Sequence, residues 1–473
     1  MKPHSAAFKP GWVTGKILAD LLALFDIAAT ITSALLAYYL YHFLINHSPV
    51  DGMNYAVIIV IAAAVFHTVA RQRRQYDLQQ PFDFVNQLAS LIYISAATVA
   101  ATFAVLFFMK VPAEFSRIWV LLWAGLLMTF LAAGRALFNH YIELLMRKGL
   151  LRRCVALIGS GSQFDTAKAA LQRDQRHFSL VSALNFPAPN GSPKSGVSAD
   201  LMYSLIKEAQ DKEIHEVIIA VPASMGQELE AIVQQVQMLP VDVRVIPDFG
   251  DAKIPIMQVN SIAGLSVVTT VSKPMSEWGS FLKAAEDCCI GLLCLILFAP
   301  AITLIAAAIK LDSKGPIFFR QRRHGYNHRV IEVLKFRTMT VLEDGDVIRQ
   351  ASKVDNRVTR IGAFLRRTSL DELPQFWNVI RGEMSIVGPR PHALAHNSYY
   401  GNLIENYANR HRVKPGLTGW AQIHGFRGET GDPEKMVMRV RYDLEYIDNW
   451  SIWLDLKIII MTPLFGLFRR GAY

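Results

Sequence analysis

Apolar positions along this chain are gathered into runs. Four uncharged runs occupy the first third: Ile27–Asn46, Tyr55–Ala70, Val85–Met109 and Ile118–Gly134. A helix needs about 20 such residues to cross a bilayer, and the second and fourth runs fall a little short. No small-residue cleavage site ends the first run and three more follow, which argues against a cleaved signal peptide. The pattern predicts a four-span bundle over residues 1–145. His67 is the one ionisable residue deep inside a run, so the bundle reads as an anchor without chemistry. A fifth run, Cys288–Ile309, is interrupted by Pro300. The proline ring removes a hydrogen bond and kinks a helix. That run fits either a kinked span or a hairpin that enters and leaves by one face.

Between the apolar regions, over residues 150–272, strand and helix signals alternate. Cys154–Ile158 reads as a buried strand, Gly159-Ser160-Gly161 as a tight turn and Asp165–Gln172 as a helix. His215–Val221 and Val241–Ile246 read as β-branched strands, with Gln227–Met238 between them as an amphipathic helix. Such alternation implies a parallel, Rossmann-like α/β module. A dinucleotide fingerprint wants a third glycine where Phe164 stands, so a structural or regulatory module is the preferred reading. Asn185–Ser198 reads as a surface loop.

Composition sharpens this picture. Of 473 residues, 52% are hydrophobic and only 19% charged, against about 25% charged in a soluble globular chain. Disorder is excluded, and four cysteines, three of them in one apolar run, do not make a disulfide framework. The net charge is +10, and its placement carries the information. Lys2, Lys9, Lys16, Arg71, Arg73, Arg74, Arg147, Lys148, Arg152 and Arg153 fall on one side of the expected bundle. Asp51, Lys110, Glu114 and Arg117 fall on the other. The positive-inside bias then puts both ends of the bundle in the cytoplasm. Lys310, Lys314, Arg320, Arg322 and Arg323 follow the fifth run and resist translocation, which favours the hairpin. Charge concentrated beside membrane segments fits anionic lipid and a phosphorylated substrate, and nucleic acid is not an expected partner.

From Lys310 onward, cations alternate with aromatics, and carboxylates are few and clustered. Lys335-Phe336-Arg337-Thr338-Met339 offers two cations and a hydroxyl. Arg357, Arg360, Arg366 and Arg367 precede Thr368-Ser369-Leu370-Asp371-Glu372-Leu373-Pro374-Gln375. Adjacent carboxylates in so basic a setting suit a nucleophile beside a divalent-cation ligand. Ser369 and Glu372 also have capping-box spacing, so Glu372 as a helix cap is an equal alternative. Gly388-Pro389-Arg390-Pro391 fixes an arginine on a stiff turn suited to phosphate. Lys414-Pro415-Gly416-Leu417-Thr418-Gly419-Trp420 joins a cation to a backbone able to approach a phosphate or base. Arg439–Asp455 carries Arg441, Tyr442, Asp443, Tyr446 and Asp448, and Ile458–Phe468 reads as an interfacial helix on lipid. No zinc spacing, serine triad or Walker A loop occurs. The segment reads as a membrane-facing site that handles phosphate.

The strings KFRTM, RRTSLDELPQFWNVIRGEMSIVGPRP, VKPGLTGWAQ and DLEYIDNWSIWLDLKI, in this order, resemble the bacterial sugar transferase family, the monotopic polyprenyl-phosphate hexose-1-phosphate transferases. The resemblance covers residues 278–473, and the preceding bundle and module are similar to the long form of that family. It implies a mainly α monotopic catalytic domain whose membrane element, residues 281–310, is a re-entrant helix broken at Ala299-Pro300. It implies transfer of hexose 1-phosphate from a UDP-sugar to undecaprenyl phosphate, the first membrane step of exopolysaccharide or capsule synthesis. Asp371 would be the nucleophile, forming an aspartyl phosphosugar and releasing UMP, and Glu372 with Asp371 would hold Mg²⁺. Lys335, Arg337 and Arg390 match phosphate-contacting positions, and Asp455 a further acidic position of the site. Gly425–Thr430 resembles the glucose-using members; UDP-galactose or a UDP-N-acetylhexosamine is the alternative. The implied location is the bacterial cytoplasmic membrane, catalytic domain inward, and a homodimer is compatible with it. A rival reading keeps these motifs but makes the chain a scaffold or regulator of a polysaccharide assembly complex.

Overall fold

The computed structural model describes residues 14–46, 52–73, 75–76, 84–108, 117–175, 177–186, 207, 214–248, 257–340, 357–392, 400, 403–404, 406–426 and 433–468. Most of the Asn185–Ser198 loop and of the Gly425–Thr430 strip lies outside them. The chain forms two compact units, Val13–Arg152 and a second that runs from Arg153 to the C-terminus.

The first unit is helical. Its helices are α1 (Gly15–Tyr39), α2 (Gly52–Gln72), α3 (Phe84–Phe108) and α4 (Arg117–Arg147), with a π-helical stretch, Leu40–Asn46, continuing α1. All four are long and apolar enough to cross a membrane. Their core is aromatic: Tyr55, Phe66, Trp119 and Trp123 are buried together, with Tyr55 edge-on to Trp119 at 5.0 Å. Leu24, Val60, Ile92, Leu121 and Leu137 point outward, an apolar exterior suited to lipid.

The helices extend past the apolar runs that announce them. α1 begins before Ile27 and α4 continues beyond Gly134, which brings Asp26 and Arg135 inside the bundle. Arg135 Nη2 lies 2.7 Å from Asp26 Oδ2, and both side chains are buried. This corrects the reading of the bundle as an anchor whose only deep ionisable residue is His67. A hydropathy run stops at a charge, whereas a helix need not stop when the charge meets its partner. Removing one member of a buried pair strands the other at a cost of about 3–5 kcal/mol. Arg135→Leu is therefore expected to lower the melting temperature of the detergent-purified protein sharply. The double replacement Asp26→Leu with Arg135→Leu should recover most of the loss, which a thermal unfolding series would read.

The second unit opens with a six-stranded sheet built from β1 (Arg153–Gly159), β2 (Phe178–Asn185), β3 (Glu216–Ala220), β4 (Asp242–Val245), β5 (Gln258–Ile262) and β6 (Leu265–Val271), in the order β2-β1-β3-β4-β6-β5. The first four strands are parallel, as the alternating pattern predicts. The hairpin β5–β6 adds two antiparallel strands, so the sheet is mixed. The strands expected at 154–158, 215–221 and 241–246 are present; β2 and β5 carry too little β-branched alternation to be announced, and β6, though rich in Val and Thr, is not among the expected strands. Successive residues of β3 serve opposite faces: Val217 and Ile219 pack with α6 (Gly226–Val236), Ile218 and Ala220 with α5 (Gly161–Arg173). At the end of β1, Ser160 is buried, while Gly161 at the start of α5 is exposed. Met225 is buried there, its sulfur 3.4 Å from Ser160 Oγ.

The long helix α7 (Glu277–Asp312) follows, capped by Ser276, whose hydroxyl accepts from Gly279 N–H at 3.0 Å. It contains Pro300 and is long and apolar enough to cross a membrane. After it come the antiparallel hairpin β7 (Phe318–His324) and β8 (Val330–Phe336), then α8 (Arg360–Thr368) and α9 (Gln375–Ile380). The parallel pair β9 (Ser385–Val387) and β10 (Gly416–Thr418) precedes α10 (Pro433–Asp448) and α11 (Ile452–Phe468). Both halves of α7 pack on these elements. Lys283 reaches Asp455 of α11 at 2.8 Å, Phe298 stacks on Phe376 of α9, and Ile309 is buried with Phe336 and Leu365. Leu292, Leu293, Ile296, Leu297 and Leu304 are left exposed between them.

Candidate active site

Three separate elements bring their side chains to one point. α8 is capped by Thr359, whose hydroxyl accepts from Gly362 N–H at 2.9 Å, and it ends at Ser369. Ser369 is left-handed, with φ 58°. A non-glycine residue in that conformation costs about 1–2 kcal/mol, and it turns the chain into a 3₁₀ turn, Leu370–Glu372. The turn presents Asp371 and Glu372 side by side. β8 delivers Lys335 near its end, and the turn after β9 delivers Arg390.

Glu372 is clamped by these two cations. Its Oε1 accepts from Lys335 Nζ at 3.0 Å and from Arg390 Nη2 at 2.7 Å, while Arg390 Nη1 lies 3.4 Å from Oε2. Its side chain is only 13% exposed. Against the penalty of burial, Arg390 and then Lys335 hold the carboxyl well below the usual carboxylate range. The capping-box alternative is not the arrangement seen. The Ser369 side chain makes no cap bond to the 3₁₀ turn, and the Glu372 carboxylate is spent on cations.

Asp371 is different. Among the described residues its carboxylate has no hydrogen-bond or ion-pair partner. Burial pushes the carboxyl up, against the pull of Lys335 and with a push from Glu372. The pair thus contains one carboxylate neutralised in place and one that is half-buried and unengaged. A nucleophile must keep its oxygen free, whereas a carboxylate that shapes the field can be tied down. Two adjacent carboxylates can hold Mg²⁺ only if the substrate supplies further oxygens, the usual manner for that ion with phosphates. Among the described residues no group of three His, Cys, Asp or Glu could hold a metal alone, and Asp371 and Glu372 are the residues that would share one with substrate oxygens.

The other expected site residues lie elsewhere. Arg337 is buried and donates to the carbonyls of Ser313 at 2.7 Å and Lys314 at 2.9 Å, closing the C-terminal end of α7. Thr338 binds Arg366 Nε at 3.0 Å. Of the KFRTM string, then, only Lys335 reaches the pair. Asp455 is fully buried, bonded to Tyr446 at 2.8 Å, Trp450 at 3.0 Å and Lys283 at 2.8 Å. Its contacts do not extend to Asp371 or Glu372. Lys414 is half-buried near Asp287, and burial lowers its ammonium below the ordinary value. The glycines of the GPRP and KPGLTG strings serve each other. A side chain at Gly416 would strike the backbone of Gly388, and Gly416 N–H donates to Pro389 O at 3.0 Å. Sequence reasoning missed Lys283, Asp287 and Arg410, which hold these elements in place. Arg410 donates to Arg390 O at 3.0 Å and pairs with Asp443 at 2.7 Å.

Residues 278–469 match the family model described as bacterial sugar transferase. The chain is 34% identical over 470 residues to a UDP-glucose:undecaprenyl-phosphate glucose-1-phosphate transferase of Xanthomonas campestris pv. campestris, covering 96% of this chain and 95% of that protein. The chain belongs to the bacterial sugar transferase family. A protein of the same name from Escherichia coli (strain K12) is 42% identical over 76% of each chain. Another from Klebsiella pneumoniae is 47% identical over 57% of this chain and 58% of its own. A second model, described as a CoA-binding domain, matches residues 76–247.

In this sugar transferase the arginine turn depends on close backbone contact between β9 and β10. Gly416→Ala, which forces the strands apart, is expected to destabilise the second unit by about 1–3 kcal/mol, the usual cost of overpacking. A fall in its thermal midpoint checks this, and an unchanged midpoint would mean that the strands do not need the contact.

Proposed function

We propose that this chain transfers glucose 1-phosphate from UDP-glucose to undecaprenyl phosphate through a covalent intermediate on Asp371. One observation carries the reading: an unengaged carboxylate stands beside a carboxylate that Lys335 and Arg390 already neutralise. The names of the full-length relatives support the substrates. In the first half-reaction an Asp371 oxygen forms a bond to the β-phosphorus, and the bond from that phosphorus to the bridging oxygen breaks. UMP leaves with the electron pair. Lys335 and Arg390 sit where they can offset charge on the phosphoryl oxygens. Mg²⁺, held by Asp371 and Glu372 with diphosphate oxygens, would supply further charge neutralisation. In the second half-reaction a phosphate oxygen of undecaprenyl phosphate attacks the same phosphorus and Asp371 departs. The acceptor is already an anion, so no strong general base is needed.

Asp371→Asn should leave insertion and folding intact and reduce UMP release at least about 10³-fold. A panel of UDP-glucose, UDP-galactose and UDP-N-acetylhexosamines with labelled undecaprenyl phosphate identifies the sugar. With the true donor, wild-type protein quenched in acid should carry a phosphohexose on the peptide containing Asp371. Turnover by Asp371→Asn above about one per cent would rule out the covalent route. Glu372→Gln should cost about 10²-fold or more and shift the Mg²⁺ titration to higher concentration. An unchanged titration would remove Glu372 from the metal site.

The site is proposed to face the cytoplasm of the bacterial inner membrane, with α7 entering and leaving by that face. The first half of α7 packs on α11 and the second on β8 and α8, all elements of the catalytic segment, and the basic residues after it resist translocation. Single cysteines at Ser280 and Ser313 in a cysteine-free protein should resist an impermeant thiol reagent until cells are opened. Labelling of the residue-313 site alone in intact cells would mean a full span.

A further inference from the structure

The charged start of α7 is more than a flank to an apolar run. Lys283 and Asp287 lie one turn apart and are buried, and the structure ties them to the strand that leads into the arginine turn. Asp287 Oδ1 accepts three bonds at once: from Ser385 Oγ at 2.8 Å, Ile386 N–H at 2.9 Å and Lys283 Nζ at 3.0 Å. Lys283 Nζ also reaches Asp455 Oδ2 at 2.8 Å and Glu286 Oε2 at 3.5 Å. The Tyr446 hydroxyl lies 2.8 Å from Asp455 Oδ1 and 3.1 Å from Val387 O. Every residue of β9 is therefore held by this network or by its neighbour across the strand.

We propose that Lys283, Asp287 and Asp455 are positioning residues for Arg390: a buried ionic seat between α7 and α11 that fixes where the arginine turn emerges. The inference rests on the function proposed above. β9 has only three residues and pairs with β10 at two positions, Ser385 with Gly416 and Val387 with Thr418, too little to fix a strand by itself. Beyond it, Pro389 restricts the backbone, so the seat of Ile386 and Val387 decides where Arg390 points. Arg410, bonded to Arg390 O, is a second and independent brace.

The electrostatics favour placement over stability as the purpose. Glu286, Asp287 and Asp455 put three carboxylates around Lys283, with Lys414 nearby, and Asp287 Oδ2 and Glu286 Oε1 are buried without a partner. A well-packed apolar seat would be at least as stable. What directional bonds add is register, and here the register is that of the strand feeding the site. A displacement of about 1 Å at a catalytic group costs on the order of 10²-fold in rate.

The test is a coupling experiment on the full-length protein in detergent with Mg²⁺, UDP-glucose and undecaprenyl phosphate. Asp287→Asn keeps an acceptor for Ile386 and Ser385 but loses the charge that holds Lys283. It should lower kcat about 10²-fold with KM within about threefold, because Arg390 acts on charge that develops in the transition state. In an Arg390→Lys background the same replacement should cost less than about threefold, since a misplaced seat cannot harm an arginine that is gone. Equal losses in both backgrounds would overturn the proposal and leave Asp287 a merely structural residue. Hydrogen exchange supplies a readout free of turnover. In Asp287→Asn the amides of Ile386–Gly388 should exchange at least tenfold faster while those of β8 stay unchanged, and unchanged exchange at β9 overturns the proposal. Asp455→Asn, which preserves shape, takes the place of Asp287→Asn in all three measurements if the latter does not fold. Failure of the wild type to turn over UDP-glucose would instead count against the proposed function, and the exchange arm would still report on the seat.

Discussion

Two carboxylates on neighbouring residues of one tight turn repel each other, and burial makes the repulsion worse. Like charges 4 Å apart at the effective dielectric of a protein surface cost about 4 kcal/mol, enough to remove one of them by protonation. The second unit answers with cations drawn from distant parts of the chain. Lys335 comes from a hairpin strand and Arg390 from the turn after a three-residue strand, and both fall on Glu372. The hairpin, the left-handed Ser369 and the contact of β9 with β10 all serve that convergence. Loss of either cation would leave the pair less fully compensated.

Neutralising Glu372 in place divides the labour of the two acids. A carboxylate held by two cations stays ionised through the ordinary pH range and is poorly suited to attack anything. Its neighbour has no bonded partner among the described residues, and burial raises its affinity for a proton. The asymmetry comes from surroundings and not from residue type, which is why two acids in tandem can take different roles.

Much of this was legible in the sequence, and the failures have definite causes. Runs of apolar residues announce α1 to α4 and α7, because lipid demands composition above all. They do not announce where those helices stop: Asp26 and Arg135 look like boundaries until each is seen to have the other. The parallel strand β3 is buried on both faces and reads as an apolar run, as does most of β1, while β4 shows its valines on one buried face. The edge strand β5, with Gln258, Asn260 and Ser261 among its five residues, has no such signal. Of the expected site residues, Lys335 and Arg390 meet Glu372 beside Asp371, whereas Arg337 binds the carbonyls of Ser313 and Lys314 and Asp455 binds Tyr446, Trp450 and Lys283. Charge type is visible in a sequence, but the partner that consumes the charge is a tertiary fact.

The same limit explains why the start of α7 escaped notice. Lys283, Glu286 and Asp287 look like the polar margin that any membrane helix carries. In the fold they are the most buried charges on that helix: Asp287 bonds to β9, and Lys283 joins Glu286 and Asp287 to Asp455 of α11. An enzyme with a long apolar helix beside its site must hold that helix and the site in register, and apolar packing alone allows the two to slide. A charged seat does not slide without breaking several bonds together. The membrane helix thereby becomes part of the frame of the site, and the position of Arg390 over Glu372 depends on how that helix is held in the bilayer.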